Sequence, residues 1–374
     1  MKYLIKLGFM TLKIWRKARG ALLCNVLFAS LVAACPSASS QAQVVGPDAG
    51  LFNPQAIAFN PTNGKVYSVV SKDNSVMVVD DATDSKRYIK VGIAPVSLAV
   101  DSTTGTTYVV NAGDGTVSVI DSQSNTVKTT IQVGKHPYSI AIDTTAGRVY
   151  VTHTFSNQLS VIDEGTSDAT NMVIGAADLI AVDSKTSLIY LLGYEGGGIA
   201  VVNGANGSVS HLIAGKHAWG LALDTLSKTL YVPRIGNDQI AAINTDSGEV
   251  RYIPTGSMPC AVALDSRSGT ALVVNYGADS VSIINIAHGF TVATIPVGRR
   301  PQAVAIDPDI RRAYVANTLA GTVSVIDMNS RLVIATVAAG TNPYALAVNP
   351  LSHKVHAANI GDPPSTTFKT QSHF

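Results

Sequence analysis

The sequence is short of charge, of cysteine and of tryptophan. Charged residues fill only 14% of the 374 positions against 46% hydrophobic, which excludes a disordered chain and fits a large buried core. The formal charge of +2 misleads, because Lys2, Lys6, Lys13, Arg16, Lys17 and Arg19 supply six of the 27 basic residues and no acid precedes position 43. Beyond residue 42 the chain holds 21 basic residues against 25 acidic ones and no Lys/Arg run, which argues against nucleic acid as a partner. Of the three cysteines, only Cys260 lies beyond that point, so neither an intrachain disulfide nor a thiolate metal site is available there. Between Pro259 and Ala261-Val262-Ala263 it reads as a small buried strand residue rather than a nucleophile.

Motifs for catalysis are missing as well. There is no H-E-x-x-H and no G-x-S-x-G. Tyr194-Glu195-Gly196-Gly197-Gly198 lacks the Lys-Ser/Thr and the following helix that a phosphate loop needs. His136, His153 and His217 never occur at short ligand spacing, so no metal and no other cofactor is expected.

The N-terminus reads as an export signal. A basic stretch is followed by an apolar run over 21–34 and then by small residues ending in Ser40-Gln41-Ala42, where cleavage is expected. The alternative is Val32-Ala33-Ala34-Cys35, a lipoprotein-like box that would place a lipid on Cys35. The run is short for a membrane span, so none is expected in the mature chain. Residues 1–42 are thus read as signal, 43–361 as the folded domain and the Pro-rich 362–374 as a frayed tail.

What the sequence does contain is one sentence written repeatedly. Residues 300–340 hold four short apolar alternations, at 303–307, 313–317, 322–327 and 332–337, separated by turn residues. Period-two alternation rich in Val, Ile and Tyr predicts four strands of one antiparallel sheet. Each unit closes on a glycine, at Gly92, Gly134, Gly175, Gly215, Gly256, Gly298 and Gly340, with spacings of 42, 41, 40, 41, 42 and 42 residues. That period belongs to radial β repeats. First strands end in Asp or Asn (Asn60, Asp101, Asp143, Asp183, Asp224, Asp265, Asp307, Asn349), and third strands do likewise from Asp80 to Asp327. Such residues cap the following turn, so these acids are not counted as catalytic.

The second strand usually carries a tyrosine, as in Tyr108-Val-Val-Asn111, Tyr150-Val-Thr-His153, Tyr231-Val-Pro-Arg234 and Tyr314-Val-Ala-Asn317, with Leu272 and His356 replacing it in two units. These tetrads, with Val117-Ser-Val-Ile-Asp121 and Val323-Ser-Val-Ile-Asp327, resemble the YVTN-type β-propeller repeat family over about residues 43–361. The resemblance implies an all-β propeller of four-stranded antiparallel blades. Seven units are complete and an eighth begins at Asn342, so eight blades are expected, with residues 42–46 as the strand that completes the last one. Seven blades, with 341–374 packed outside, is the alternative.

In propellers of this order the loops before the first strand and after the second open on one face. The departures from the repeat on that face are Lys135-His136, Lys216-His217 and Arg299-Arg300, together with His153 and Arg234 in place of the tetrad's Asn. Trp219, Tyr138, Tyr276, Tyr194, Glu195 and Asp238 lie close by in sequence. The candidate ligand-binding set is therefore His136, His153, His217, Trp219, Arg234, Tyr276, Arg299 and Arg300. Arginines and lysines around a concavity suit an anionic small molecule or a protein partner. The reading is an exported, periplasmic or cell-surface, monomeric binding scaffold with no catalytic residue. A lactonase-like propeller enzyme resting on Glu195 and Asp238 and a purely structural surface-layer-like protein are the alternatives. The eight-bladed quinoprotein class is disfavoured, since Trp219 is the one tryptophan beyond residue 42.

Overall fold

Each unit of the repeat becomes one sheet. In the computed structural model, which describes residues 31–35, 38–43, 57–193, 197–359 and 365–369, consecutive strands pair antiparallel in chain order. Blade 1 runs from Ile57–Asn60 to Lys86–Lys90, and blades 2 to 7 begin at Pro95, Pro137, Leu179, Ala222, Pro259 and Pro301. Blade 8 consists of Pro343–Val348, Lys354–Asn359 and Ser365–Lys369. The molecule is an eight-bladed propeller: seven sheets have four strands, and the eighth has three among the described residues.

Burial follows the radial order of the strands. The first strand of blade 7, Pro301–Asp307, is buried at every position, whereas its fourth, Leu332–Ala338, is exposed or half-buried throughout. Inner strands are enclosed by both neighbouring blades, so they tolerate a continuous apolar run; outer strands meet water. At the far ends of the first and third strands the predicted turn caps are present. Asp101 Oδ1 accepts from Thr103 N at 2.7 Å, and Asp121 Oδ1 accepts from Ser124 N at 2.7 Å.

In blades 1, 2 and 4 the tyrosine of the second strand fastens the blade to the next. Tyr67 Oη donates to Asn125 Oδ1 of blade 2 at 3.0 Å, Tyr108 pairs with Glu164 of blade 3, and Tyr190 with Thr245 of blade 5. These three rings are buried, so each contributes apolar area as well as a hydrogen bond. Blade 8 has His356 at this place, and its Nε2 meets Asp81 Oδ1 of blade 1 at 2.7 Å. Asn349 Nδ2 and Ser352 Oγ both donate to Asp81 Oδ2 at 2.6 Å, which closes the ring between the last blade and the first.

The two chain ends depart from expectation. Ser365–Lys369, placed in the frayed tail, is a strand paired with Lys354–Asn359, and Phe368 lies edge-on to Tyr314 with ring centroids 6.4 Å apart. An apolar ring with a buried partner and an open sheet edge outweigh the polar composition of the segment. Of the expected closing strand, Ala42 and Gln43 pair with Val32 and Leu31 in a separate hairpin, and 44–46 lie outside the described residues.

Candidate binding face

The loops entering blades 2, 3, 5, 6, 7 and 8 each pass through a left-handed residue. Ala94, His136, His217, Met258, Arg300 and Asn342 have φ between 49° and 63°. Side chains rarely adopt this conformation, and each instance costs on the order of 1 kcal/mol unless the surroundings enforce it. Here the turn after the second strand does so. Thr154 N donates to His136 O at 3.0 Å, Ile235 N to His217 O at 3.0 Å and Thr318 N to Arg300 O at 3.1 Å. Arg300 N in turn donates to Asp279 Oδ1 of the preceding blade at 2.7 Å. The two loop sets are therefore locked together on one end of the ring, as expected from the repeat order.

The basic pairs stand free on that end. Lys135, His136, Lys216, His217, Arg299 and Arg300 are all exposed, on blades 3, 5 and 7. The Arg300 guanidinium lies over the half-buried Tyr276 ring with Cζ 4.6 Å from its centroid, so these two candidates do come together. His217 leans over Gly236, where an added Cβ would lie 3.0 Å from its Nδ1.

The tetrad's fourth position points elsewhere. Asn317 Nδ2 donates to Thr322 Oγ1 at 3.1 Å and to Ser324 Oγ at 2.9 Å, and Asn111 and Asn275 repeat the arrangement. The closing glycine is part of the same device, for a Cβ at Gly298 would stand 2.6 Å from the Asn317 side chain. His153 occupies this slot on blade 3 and is wholly buried. Its Nδ1 meets Lys135 O at 2.8 Å and its Nε2 meets Ser160 Oγ at 2.7 Å. The carbonyl can only accept, which puts the proton on Nδ1, and burial pushes the imidazole pKa down. His153 thus holds a blade together rather than facing the channel. Arg234 fills the slot on blade 5, stacked on Tyr252 at 4.6 Å with Nη1 3.3 Å from Gln239 Oε1. Trp219, 5% exposed, belongs to the core, as does Tyr138. Tyr194 and Glu195 lie outside the described residues.

Carboxylates are divided unevenly between the two ends, the opposite end pairing several of its own with cations such as Lys228, Arg267 and Lys354. Among the described residues, the carboxylates at the end with the basic pairs are Asp73, Asp114, Asp178, Asp238 and Asp279. Those of Asp114, Asp238 and Asp279 accept from the backbone N–H groups of Ile93, Met258 and Arg300. The other described carboxylates belong to the turns of the opposite end, at the Asp and Asn strand termini and just beyond them. Among the described residues no three His, Cys, Asp or Glu side chains are grouped to hold a metal ion, and no helix is long and apolar enough to cross a membrane.

Sequence reasoning missed the turn tips after the second strands. Blades 2, 5 and 6 have Gly113, Gly236 and Gly277 there, because Ile93, His217 and Met258 lean over the turn. Blades 3 and 7 carry Phe155 and Leu319 instead, 96% and 55% exposed. The break in the glycine pattern was the available signal.

No curated protein matches the sequence. Among solved structures, Saccharomyces cerevisiae Sqt1 superposes with a TM-score of 0.72 at 12% identity, covering 86% of this chain and 97% of that one. Hydrazine synthase of Kuenenia stuttgartiensis gives 0.59 at 18% identity, with 86% and 97% covered. Streptogramin B lyase gives 0.54 at 15% identity, with 86% and 94% covered. At these identities the likeness is one of fold, and the varied roles of the three proteins fit a scaffold that carries unrelated sites. Residues 261–362, which fall on blades 6 to 8, match the family described as YNCE-like beta-propeller. The chain is an eight-bladed β-propeller whose second-strand tetrads resemble the YVTN repeat and whose residues 261–362, about a quarter of its length, are similar to the YNCE-like family.

Proposed function

We propose that the protein is an exported binding scaffold of the cell envelope that holds an anionic partner on the basic end of its ring. The observation that carries this reading is the set of exposed basic pairs on blades 3, 5 and 7, held by strained loops at the end with few carboxylates. Preorganised loops on a rigid ring lose little entropy on binding, and convergent cations favour carboxylate or phosphate groups. Among the described residues nothing favours the lactonase-like alternative: the Asp238 carboxylate accepts from the Met258 amide.

Export rests on the sequence of residues 1–42, and cell fractionation with N-terminal sequencing of the mature protein tests it. Recovery from the cytoplasm with Met1 intact would refute it. Calorimetric titration with poly-glutamate tests the binding reading. Affinity should fall steeply with added salt and should be lost in a variant with Lys216→Ala, His217→Ala, Arg299→Ala and Arg300→Ala. Unchanged binding by a folded variant would remove the assignment to this face.

A further inference from the structure

Two loop clusters on opposite sides of the ring share one composition. On blade 3, exposed Lys135 and His136 stand beside Phe155, tied by the Thr154 N to His136 O bond. On blade 7, exposed Arg299 and Arg300 stand beside Leu319, tied by the Thr318 N to Arg300 O bond. In a ring of eight these blades face each other across the channel, and blade 5, with Lys216 and His217, lies midway. Phe155 is also at φ 60°, a backbone conformation that aromatic residues rarely adopt. The fold therefore holds a large apolar side chain in water, in a strained conformation, at a tip where blades 2, 5 and 6 have glycine.

Exposed apolar residues occur singly on most proteins and need no explanation. Leu226 and Leu351, on turns of the opposite end, are of that kind, and they stand among the carboxylates of that end. The pair on blades 3 and 7 differs because each apolar tip stands next to a basic pair. A soluble polyanion would satisfy the cations and leave Phe155 and Leu319 in water. An anionic bilayer offers phosphates for the one and an apolar interior for the other.

We propose that this end of the propeller docks on an anionic lipid surface, with Phe155 and Leu319 entering the headgroup layer and the basic pairs of blades 3, 5 and 7 on the lipid phosphates. The inference rests on the reading of this face as anion-binding and names its partner. Three contact points set a quarter-turn apart define a plane, so the ring axis would stand close to the membrane normal.

The test is co-sedimentation with vesicles of phosphatidylcholine alone or mixed with phosphatidylglycerol, run beside the poly-glutamate titration. The purified protein should sediment with the mixed vesicles, not with phosphatidylcholine, and should be released by salt. Phe155→Ser with Leu319→Ser should lower partitioning roughly tenfold and leave poly-glutamate binding unchanged. Arg299→Ala and Arg300→Ala should lower both, by roughly fivefold per cation for vesicles. Leu226→Ser with Leu351→Ser should change neither. Poly-glutamate binding without vesicle binding, or vesicle binding indifferent to Phe155 and Leu319, would overturn the lipid inference while leaving the anion-binding face. Failure to bind either probe would remove both.

Discussion

Asp81 of blade 1 and His356 of blade 8 close the ring through a 2.7 Å contact between buried side chains. His356 stands where most blades carry tyrosine, so the seam uses the same inter-blade position with a different chemistry. The change is local to the one junction that covalent continuity does not support, where the last blade must find the first through space.

Acid should open that seam before the others. Burial alone would push Asp81 up, but the bonds from His356, Ser352 and Asn349 overcome it and lower its pKa to about 2. A folded value below the unfolded one gives stability that is present above about pH 4 and lost as pH falls towards 2. Across blade 8 the sign is opposite: burial raises the pKa of Asp307 despite its 2.8 Å contact with His353, so its ionised form costs stability and acid relieves that cost. Hydrogen exchange corrected for intrinsic rates should show blades 8 and 1 deprotected at pH 3 while the junction of blades 7 and 8 stays closed. Asp81→Asn should cost about 2 kcal/mol at pH 7 and flatten the acid limb of the melting profile. A variant with an unchanged acid limb would show that the seam is not held by this carboxylate.

The glycine that closes each unit should behave as part of a packed trio. A Cβ at Gly298 falls 2.6 Å from Asn317, which is fixed by Thr322 and Ser324. Gly298→Ala should destabilise by about 1–3 kcal/mol through overpacking. Combining it with Asn317→Ala should cost less than the two changes separately, because the second removes the clash that the first creates. Chemical denaturation of the four proteins measures the coupling; strict additivity would count against the trio.

The periodicity, the four strands per unit, the eight blades and the recurrent second-strand tyrosines were legible because each depends on local alternation and spacing. The tetrad's Asn was not. A polar residue at a strand end reads as a surface turn, and nothing local reveals that Asn317 faces Ser324 of the next strand inside the blade. His153 and Arg234 were misplaced towards the mouth for the same reason. The basic pairs were legible because they interrupt a repeat, whereas Phe155 and Leu319 were hidden in turns of nearly constant length whose residues change from blade to blade. Ser365–Lys369 read as tail because its stabilising partners, Tyr314 and His356, are distant in sequence.

Cys260 should be inert in the native protein. Its thiol is fully buried and burial pushes its pKa up, so little thiolate forms and no reagent reaches it. In protein lacking residues 1–42, labelling with a thiol reagent should await unfolding and then reach one equivalent. Fast labelling of folded protein would mean that the first strand of blade 6, or its contact with Pro301, opens locally.

Removing residues 360–374 should weaken the whole ring rather than trim a tail. The deletion takes away Ser365–Lys369, and with it the edge-on contact of Phe368 with Tyr314 and the Thr367 hydroxyl, 3.0 Å from His356 Nδ1. His356 would then face Asp81 without support on its other side, and Tyr314 of blade 7 would lose part of its cover. In a closed ring both losses act on the cooperative unit, because opening one seam frees the edges of two blades. The melting temperature should fall by roughly 5–10 °C, and the acid limb should move to higher pH. An unchanged melt would show that blade 8 holds its place through its first two strands alone, and that the ring closes without the C-terminal strand.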